Sequence, residues 1–91
     1  MWLLHLKRKL SPEQTPQEWT EAHVSRLARL REEGIIMASG RLADGSGGYV
    51  LFDCGADEIE DYAKEDPYVK NGVSDFEYKE WIVTFSPKLK G

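Results

Sequence analysis

The feature that most constrains the fold is a pair of apolar, β-branched runs separated by six residues rich in glycine. The runs are Ile35 to Leu42 and Tyr49 to Cys54, and the segment Ala43 to Gly48 between them contains three glycines and an Asp-Gly step. Glycines and Asp-Gly steps accommodate the positive φ angles that a tight reversal of the chain requires. The sequence therefore predicts a β-hairpin at the centre of the chain.

A strand and a long helix are predicted before this hairpin. Residues 2–10 alternate with the period of two that is typical of a strand, with Trp2, Leu4 and Leu6 on one face. The segment 15–18 then offers a hydroxyl, a proline and a glutamate in the order of a capping box. We therefore expect a helix from there to about residue 33, with Gly34 as the left-handed residue that follows it.

A short helix and a strand are predicted after the hairpin. The segment 57–60 again combines a capping residue with acidic residues, and Pro67 should end the helix near Asp66 because proline disfavours the α conformation of the residue before it. Residues 67–72 leave room for one more helical turn, and residues 73–85 carry the apolar residues of a last strand. We interpret residues 1–91 as one domain, with 86–91 as a short tail.

The resulting order, β-α-β-β-α-β, predicts a ferredoxin-like sandwich of the α+β class, with one antiparallel sheet and both helices on one face. The hairpin strands are apolar on both sides, for example at Val50 and Leu51. A sheet with one solvated face should instead alternate cleanly with polar residues. We therefore expect the helix-free sheet face to pack against a second copy of the chain and form a homodimer.

The composition argues against several classes of partner. Twelve Lys and Arg against 16 Asp and Glu give a net charge of −4, so nucleic acid is not an expected partner. The absence of a long apolar run and of a signal peptide, together with the single cysteine, predicts a cytoplasmic protein without a membrane partner or internal disulfide. Two histidines in all make a metal site unexpected. Cys54 is interpreted as a small buried hydrophobe rather than a nucleophile.

Two polar residues interrupt the apolar stripes of the predicted helices. His23 lies on the first helix and Asp66 at the end of the second, and this topology brings both to one end of the sheet. A histidine that faces a carboxylate in a partly dry pocket is a minimal general acid/base device, because the carboxylate fixes the tautomer of the imidazole. The alternative is a hydrogen-bonded core histidine and an ordinary helix-end aspartate. The spacing alone leaves both interpretations open.

At these residues the chain resembles the YciI-like, or YCII-related, family. The similarity covers nearly the whole chain, from the first strand to Phe85, and is carried by the segments Glu21-Ala22-His23-Val24-Ser25-Arg26-Leu27, Gly34-Ile35-Ile36-Met37-Ala38-Ser39-Gly40-Arg41, Gly47-Gly48, Glu65-Asp66-Pro67-Tyr68-Val69 and Gly72-Val73. The resemblance implies a dimeric α+β barrel, in which two ferredoxin-like protomers pack sheet to sheet. It also implies a site that pairs His23 with Asp66, and Ser39 and Arg41 match the Ser-Gly-Arg variant of the family.

Two hypotheses of function follow. In the first, the protein is a small enzyme without cofactor, in which His23, oriented by Asp66, moves a proton on a small cyclic or aromatic anionic substrate. The resemblance implies elimination, isomerisation or dechlorination chemistry on hydroxylated rings. Ser39 or Arg41 would hold a substrate oxygen, with Tyr68 and Tyr49 at the rim of the pocket. In the second, the protein is a non-catalytic homodimer that binds a metabolite or assists another protein.

Overall fold

The computed structural model describes residues 1–86, and its main elements follow the predicted order. They are β1 (Trp2–Arg8), α1 (Gln17–Glu32), β2 (Ile36–Arg41), β3 (Gly47–Phe52), α2 (Ile59–Lys64), α3 (Pro67–Lys70) and β4 (Ser74–Glu80), with a 3-10 turn at Pro12–Gln14. The predicted tail lies outside the described residues, apart from Ser86.

The four strands form one sheet in the order β2-β3-β1-β4. β3 is antiparallel to both β1 and β2, and β4 is antiparallel to β1. β1 and β2 therefore run parallel to each other, so the connection through α1 is a crossover. This topology confirms the predicted ferredoxin-like α+β sandwich.

One face of the sheet packs against the helices and forms the core. Leu4 and Leu6 of β1 and Val50 and Phe52 of β3 are buried there, two residues apart in each strand as the period of two requires. The buried apolar side chains of this core are Leu4, Leu6, Leu30, Ile36, Val50, Phe52, Ile59 and Ala63. None of the helices in the part of the chain that the structure describes is long and apolar enough to cross a membrane.

The predicted capping boxes of both helices are wrong. Pro16 precedes α1 and no side chain caps that helix, because the Thr15 hydroxyl donates to the carbonyl oxygen of Ser11 at 2.8 Å and accepts from Arg8 at 3.0 Å. α2 likewise begins without a side-chain cap. The predicted end of α1 is confirmed, since Gly34 has a φ of 77°.

The last strand is shorter than predicted. β4 ends at Glu80, which pairs with Trp2 at the beginning of β1. One further backbone hydrogen bond joins the Trp81 nitrogen to the Met1 oxygen at 2.8 Å. Ile82 and Phe85 beyond this point are largely exposed.

A bulge in β2 changes which residues face the helices. Ile36 pairs with Phe52 but Ala38 pairs with Leu51, so Met37 is an extra residue in β2. Bulges of this kind redirect the side chains that follow them. The strict alternation of a strand predicts that Ile36 and Ala38 share one face, and the bulge instead places them on opposite faces. After the bulge, Ser39 pairs with Val50 and Arg41 with Gly48, and both therefore lie on the helix side of the sheet.

On its helix-free face, the sheet is apolar over β2, β3 and the start of β1, and charged along β4. Ala38, Leu51 and Leu3 lie across β2, β3 and β1 on this face. Along β4 this face instead carries two acidic residues. Glu77 forms an ion pair with Lys7 at 3.1 Å, and Asp75 forms one with Lys9 at 3.1 Å. The apolar character predicted for both sides of the sheet therefore extends over β2, β3 and the start of β1, but not over β4.

Candidate active site

A cleft of about 630 Å³ lies between α1 and the hairpin end of the sheet. Its apolar walls include Leu6, Leu27 and Val50, and α1 contributes Thr20 and His23. Clefts of a few hundred cubic ångströms with apolar walls and a few polar groups are typical of sites for small organic molecules. This cleft is therefore the candidate active site.

The structure brings His23 and Asp66 together at this cleft. Nδ1 of His23 lies 2.8 Å from Oδ1 and 3.1 Å from Oδ2 of Asp66. The side chains are 13% and 2% exposed. An ionised carboxylate only accepts hydrogen bonds, so the tautomer assigned from this contact carries its proton on Nδ1. Nε2 then has a free lone pair, and no group in residues 1–86 hydrogen-bonds to it.

Asp66 is held by its position at the beginning of α3. Its backbone is extended, with φ −62° and ψ 128°, and its carboxylate accepts a hydrogen bond from the Tyr68 backbone nitrogen at 2.8 Å. This is the usual arrangement of an N-cap residue. The same carboxylate also accepts a hydrogen bond from His23. The capping contact that holds Asp66 therefore also helps to fix the orientation of the His23 ring.

Arg26 is a third partner of Asp66 that the sequence interpretation did not identify. Its Nη1 lies 3.8 Å from Oδ2 of Asp66, and its Nη2 donates to the carbonyl oxygen of Tyr62 at 2.8 Å. Burial lowers the pKa of the Arg26 guanidinium, while the charges of Asp66 and Glu65 oppose that shift. Arg26 follows His23 by three residues, a spacing that places both on neighbouring positions of a helix surface. That spacing is the signal that could have revealed it.

Tyr68 fixes the plane of the His23 ring. The two rings stack with centroids 4.0 Å apart and an interplanar angle of 5°. The Tyr68 hydroxyl shares a hydrogen bond with the Thr20 hydroxyl at 2.9 Å, and the Arg8 guanidinium lies 5.4 Å from the centre of the Tyr68 ring. The imidazole is thus held at its edge by Asp66 and on its face by Tyr68.

The other predicted site residues also line the cleft, in different ways. Ser39 and Arg41 are turned towards it by the bulge in β2. Tyr49 contributes to the same wall, but its ring stacks on His5 at 4.5 Å on the helix-free face. Arg8 and Arg31 line the cleft as well and were not predicted. Within residues 1–86, no three His, Cys, Asp or Glu side chains are grouped so as to hold a metal ion.

The fold is similar to that of 5-chloro-2-hydroxyhydroquinone dehydrochlorinase (TftG) from Burkholderia phenoliruptrix AC1100, solved in complex with 2,5-dihydroxybenzoquinone. The TM-score is 0.63, and the alignment covers 90% of this chain and 94% of TftG with 18% sequence identity. No curated protein matches the sequence. The profile of the YCII-related domain matches residues 1–82. The resemblance found in the sequence is therefore confirmed, and the chain belongs to the YCII-related domain family.

Proposed function

We propose that this protein is a small enzyme that uses His23 and Asp66 as a general acid/base pair on a small cyclic or aromatic anionic substrate. The observation that carries the proposal is the 2.8 Å contact between Nδ1 of His23 and Asp66, which leaves Nε2 as a free base beside the cleft. TftG is named as a dehydrochlorinase and was solved with a dihydroxybenzoquinone. Hydroxylated rings are therefore the first class of substrate to test.

The proposed chemistry begins with proton transfer to Nε2 of His23. The electron pair of the broken C–H bond forms a new double bond, and a leaving group on the adjacent carbon departs with the electrons of its own bond. In an isomerisation, the imidazolium instead returns the proton to a different carbon. The negative charge of Asp66 stabilises the imidazolium, and a positioned base of this kind contributes about 10²- to 10⁴-fold to the rate.

The remaining predicted residues have supporting roles in this proposal. Ser39 or Arg41 would hold an oxygen of the anionic substrate, because hydroxyl and guanidinium groups both donate hydrogen bonds to anionic oxygens. Tyr68 would keep the imidazole in its reactive orientation. Tyr49 is the exception, because its ring stacks on His5 on the helix-free face and therefore does not reach into the cleft. Both proposed reactions are redox-neutral, so neither requires an electron-carrying cofactor.

The proposed assembly is a homodimer through the helix-free sheet face. A shallow groove of about 310 Å³ on this face is lined by Leu3, Leu51 and Trp81, and Trp81 and Tyr49 are exposed. Stable interfaces commonly bury about 1,600 Å² in total, which a whole sheet face can supply. We propose the cytoplasm as the location, since the one cysteine of the chain forms no internal disulfide.

Proton abstraction can be tested before the substrate is known. Hydroxylated cyclic compounds are incubated with the protein in D₂O, and replacement of their C–H protons by deuterium is followed by NMR. We expect exchange with the wild type and its loss in His23→Ala. His5→Ala is the matched control, because His5 is the other histidine of the chain and lies on the opposite face of the sheet. Exchange that survives in His23→Ala would contradict the proposal, and binding without exchange would favour the non-catalytic alternative.

A further inference from the structure

The cleft differs in charge from the rest of the chain. Three of the five arginines line it, namely Arg8, Arg31 and Arg41, whereas none of the described residues that line it is an aspartate or glutamate. The chain as a whole has 16 acidic residues against 12 basic ones. Positive charge is therefore concentrated at the cleft.

The positive charge of Arg8 is held in place by neutral groups. Its Nε donates to the carbonyl oxygen of Leu10 at 2.6 Å and its Nη2 donates to the Thr15 hydroxyl at 3.0 Å. Neither partner is charged, and no carboxylate of residues 1–86 forms an ion pair with Arg8 or Arg41. Arg8 is thus a fixed guanidinium that retains hydrogen-bonding capacity at Nη1.

The register of the sheet places Arg8 on β1 and Arg41 on β2, with β3 between these two strands. Arg41 pairs with Gly48 of β3, and Gly48 pairs with Leu6 of β1. Arg8 follows two residues after Leu6 and lies on the same face. The backbones of β1 and β2 are two strand spacings apart, about 9.5 Å. Gly48 lies between them in this register and adds no side chain to the cleft wall.

Gly48 is required at this position for a reason of backbone geometry. A Cβ atom there would overlap with the carbonyl oxygen of Gly40. The absence of a side chain at Gly48 thus permits the close pairing of β2 with β3.

The side chains around Arg8 and Arg41 favour an organic carboxylate as the ligand. Guanidinium groups donate two parallel hydrogen bonds to a carboxylate, which the ammonium group of lysine cannot do, and none of the described cleft residues is a lysine. The apolar walls formed by Leu6, Leu27 and Val50 suit a carbon skeleton rather than a hydrated inorganic ion.

We infer that the substrate is a cyclic or aromatic acid whose carboxylate binds between Arg8 and Arg41, apart from the carbon that reacts at His23. This inference rests on the proposed function only in placing the substrate in the same cleft. Arg8, Arg41 and His23 all line the same cleft, and the Tyr68 ring contacts both His23 and Arg8.

The inference is tested by ligand titrations followed by NMR of the ¹⁵N-labelled protein. The probes are matched pairs that differ by one carboxylate, 2,5-dihydroxybenzoate with hydroquinone and 3,4-dihydroxybenzoate with catechol, together with inorganic phosphate. We expect each acid to bind about tenfold more tightly than its partner, since a hydrogen bond to a charged group contributes about 1.5 kcal/mol or more. Arg41→Gln should reduce this difference, because it should weaken the binding of the acids more than that of hydroquinone or catechol.

Two controls make the result specific. Arg29→Gln removes an exposed arginine of α1 that does not line the cleft, and it should leave the preference unchanged. Arg8→Lys keeps the charge but not the paired donors, and it should weaken the preference. Any one of four results would overturn the inference. The first two are equal affinity for an acid and its uncharged partner compound, and equal weakening of both by Arg41→Gln. The other two are phosphate binding as tight as that of the acids, and no binding of any acid at millimolar concentration. Because binding is measured without turnover, a carboxylate preference without deuterium exchange contradicts only the proposed enzyme activity.

Discussion

The guanidinium of Arg26 lies 3.8 Å from Oδ2 of Asp66, so the carboxylate that accepts the hydrogen bond of His23 also faces a buried cation. The two side chains are 10% and 2% exposed. A buried carboxylate is tolerated when it is paired and hydrogen-bonded. Arg26 therefore supports the carboxylate that orients the imidazole and does not itself line the cleft.

Replacement of Arg26 by methionine should lower the free energy of unfolding by about 3 kcal/mol, because removing one partner of a buried ion pair leaves the other uncompensated. Urea denaturation measures this change. Arg29→Met is the matched control, since it makes the same substitution at an exposed position one turn further along α1, and it should change the stability by less than about 0.5 kcal/mol. Equal effects of the two substitutions would show that Arg26 does not support Asp66.

Substitutions of Asp66 should separate its capping role from its role towards His23. Asparagine can still accept the hydrogen bond from the Tyr68 nitrogen, whereas alanine cannot, so Asp66→Ala should be less stable than Asp66→Asn by about 1 kcal/mol. Neither variant supplies a negative charge to the imidazole. Both should therefore lose deuterium exchange by about 100-fold or more. Full exchange in Asp66→Asn would show that the charge of the carboxylate is not used.

The order of the elements and the proximity of His23 to Asp66 could be predicted from the sequence, because both follow from local periodicity and from the one topology that allows short connections. The bulge at Met37 could not, since a bulge exists only relative to the register of a partner strand. The position of Ser39 and Arg41 near the site could therefore be predicted, but the face of the sheet on which their side chains lie could not.

Arg8 and Arg26 were not recognised for a related reason. Each forms contacts with residues whose positions depend on the tertiary fold, such as the ring of Tyr68 and the carbonyl oxygen of Tyr62. Thr15 was misassigned because a Thr-Pro step before a helix resembles a cap, whereas its hydroxyl is engaged by Arg8 and Ser11.

Replacement of Gly47 by valine should destabilise the hairpin strongly. Gly47 has a φ of 145°, and a Cβ atom there would overlap with the carbonyl oxygen of Leu6. Strained backbone and steric overlap together should lower the free energy of unfolding by about 2 kcal/mol or more. Gly40→Ala is the control, because a Cβ atom at Gly40 meets no atom within 4 Å, and it should be nearly neutral. Thermal denaturation that does not distinguish the two variants would contradict this account of the turn.

Cys54 should react slowly with alkylating reagents. Burial raises the pKa of its thiol, and the negative charges of Glu58 and Asp53 add to the shift. A raised pKa leaves less thiolate at any pH below it, and the thiolate is the reacting form. The alkylation rate of the folded protein should therefore reach its half-maximum at a higher pH than that of the urea-unfolded protein. Faster alkylation of the folded protein would instead indicate an activated cysteine.

The proposed dimer depends on Leu51, since the structure places Val50 in the core and Leu51 on the helix-free face. Leu51→Asp should dissociate the dimer, because an unpaired charge would be buried at the centre of the interface. Light scattering should give twice the monomer mass for the wild type and the monomer mass for the variant. Val24→Asp is the matched control, as it adds the same charge to an exposed apolar position on α1, and it should remain a dimer. A wild type whose mass equals that of the monomer at all concentrations would rule out this assembly, and the apolar part of the helix-free face would then be solvent-exposed.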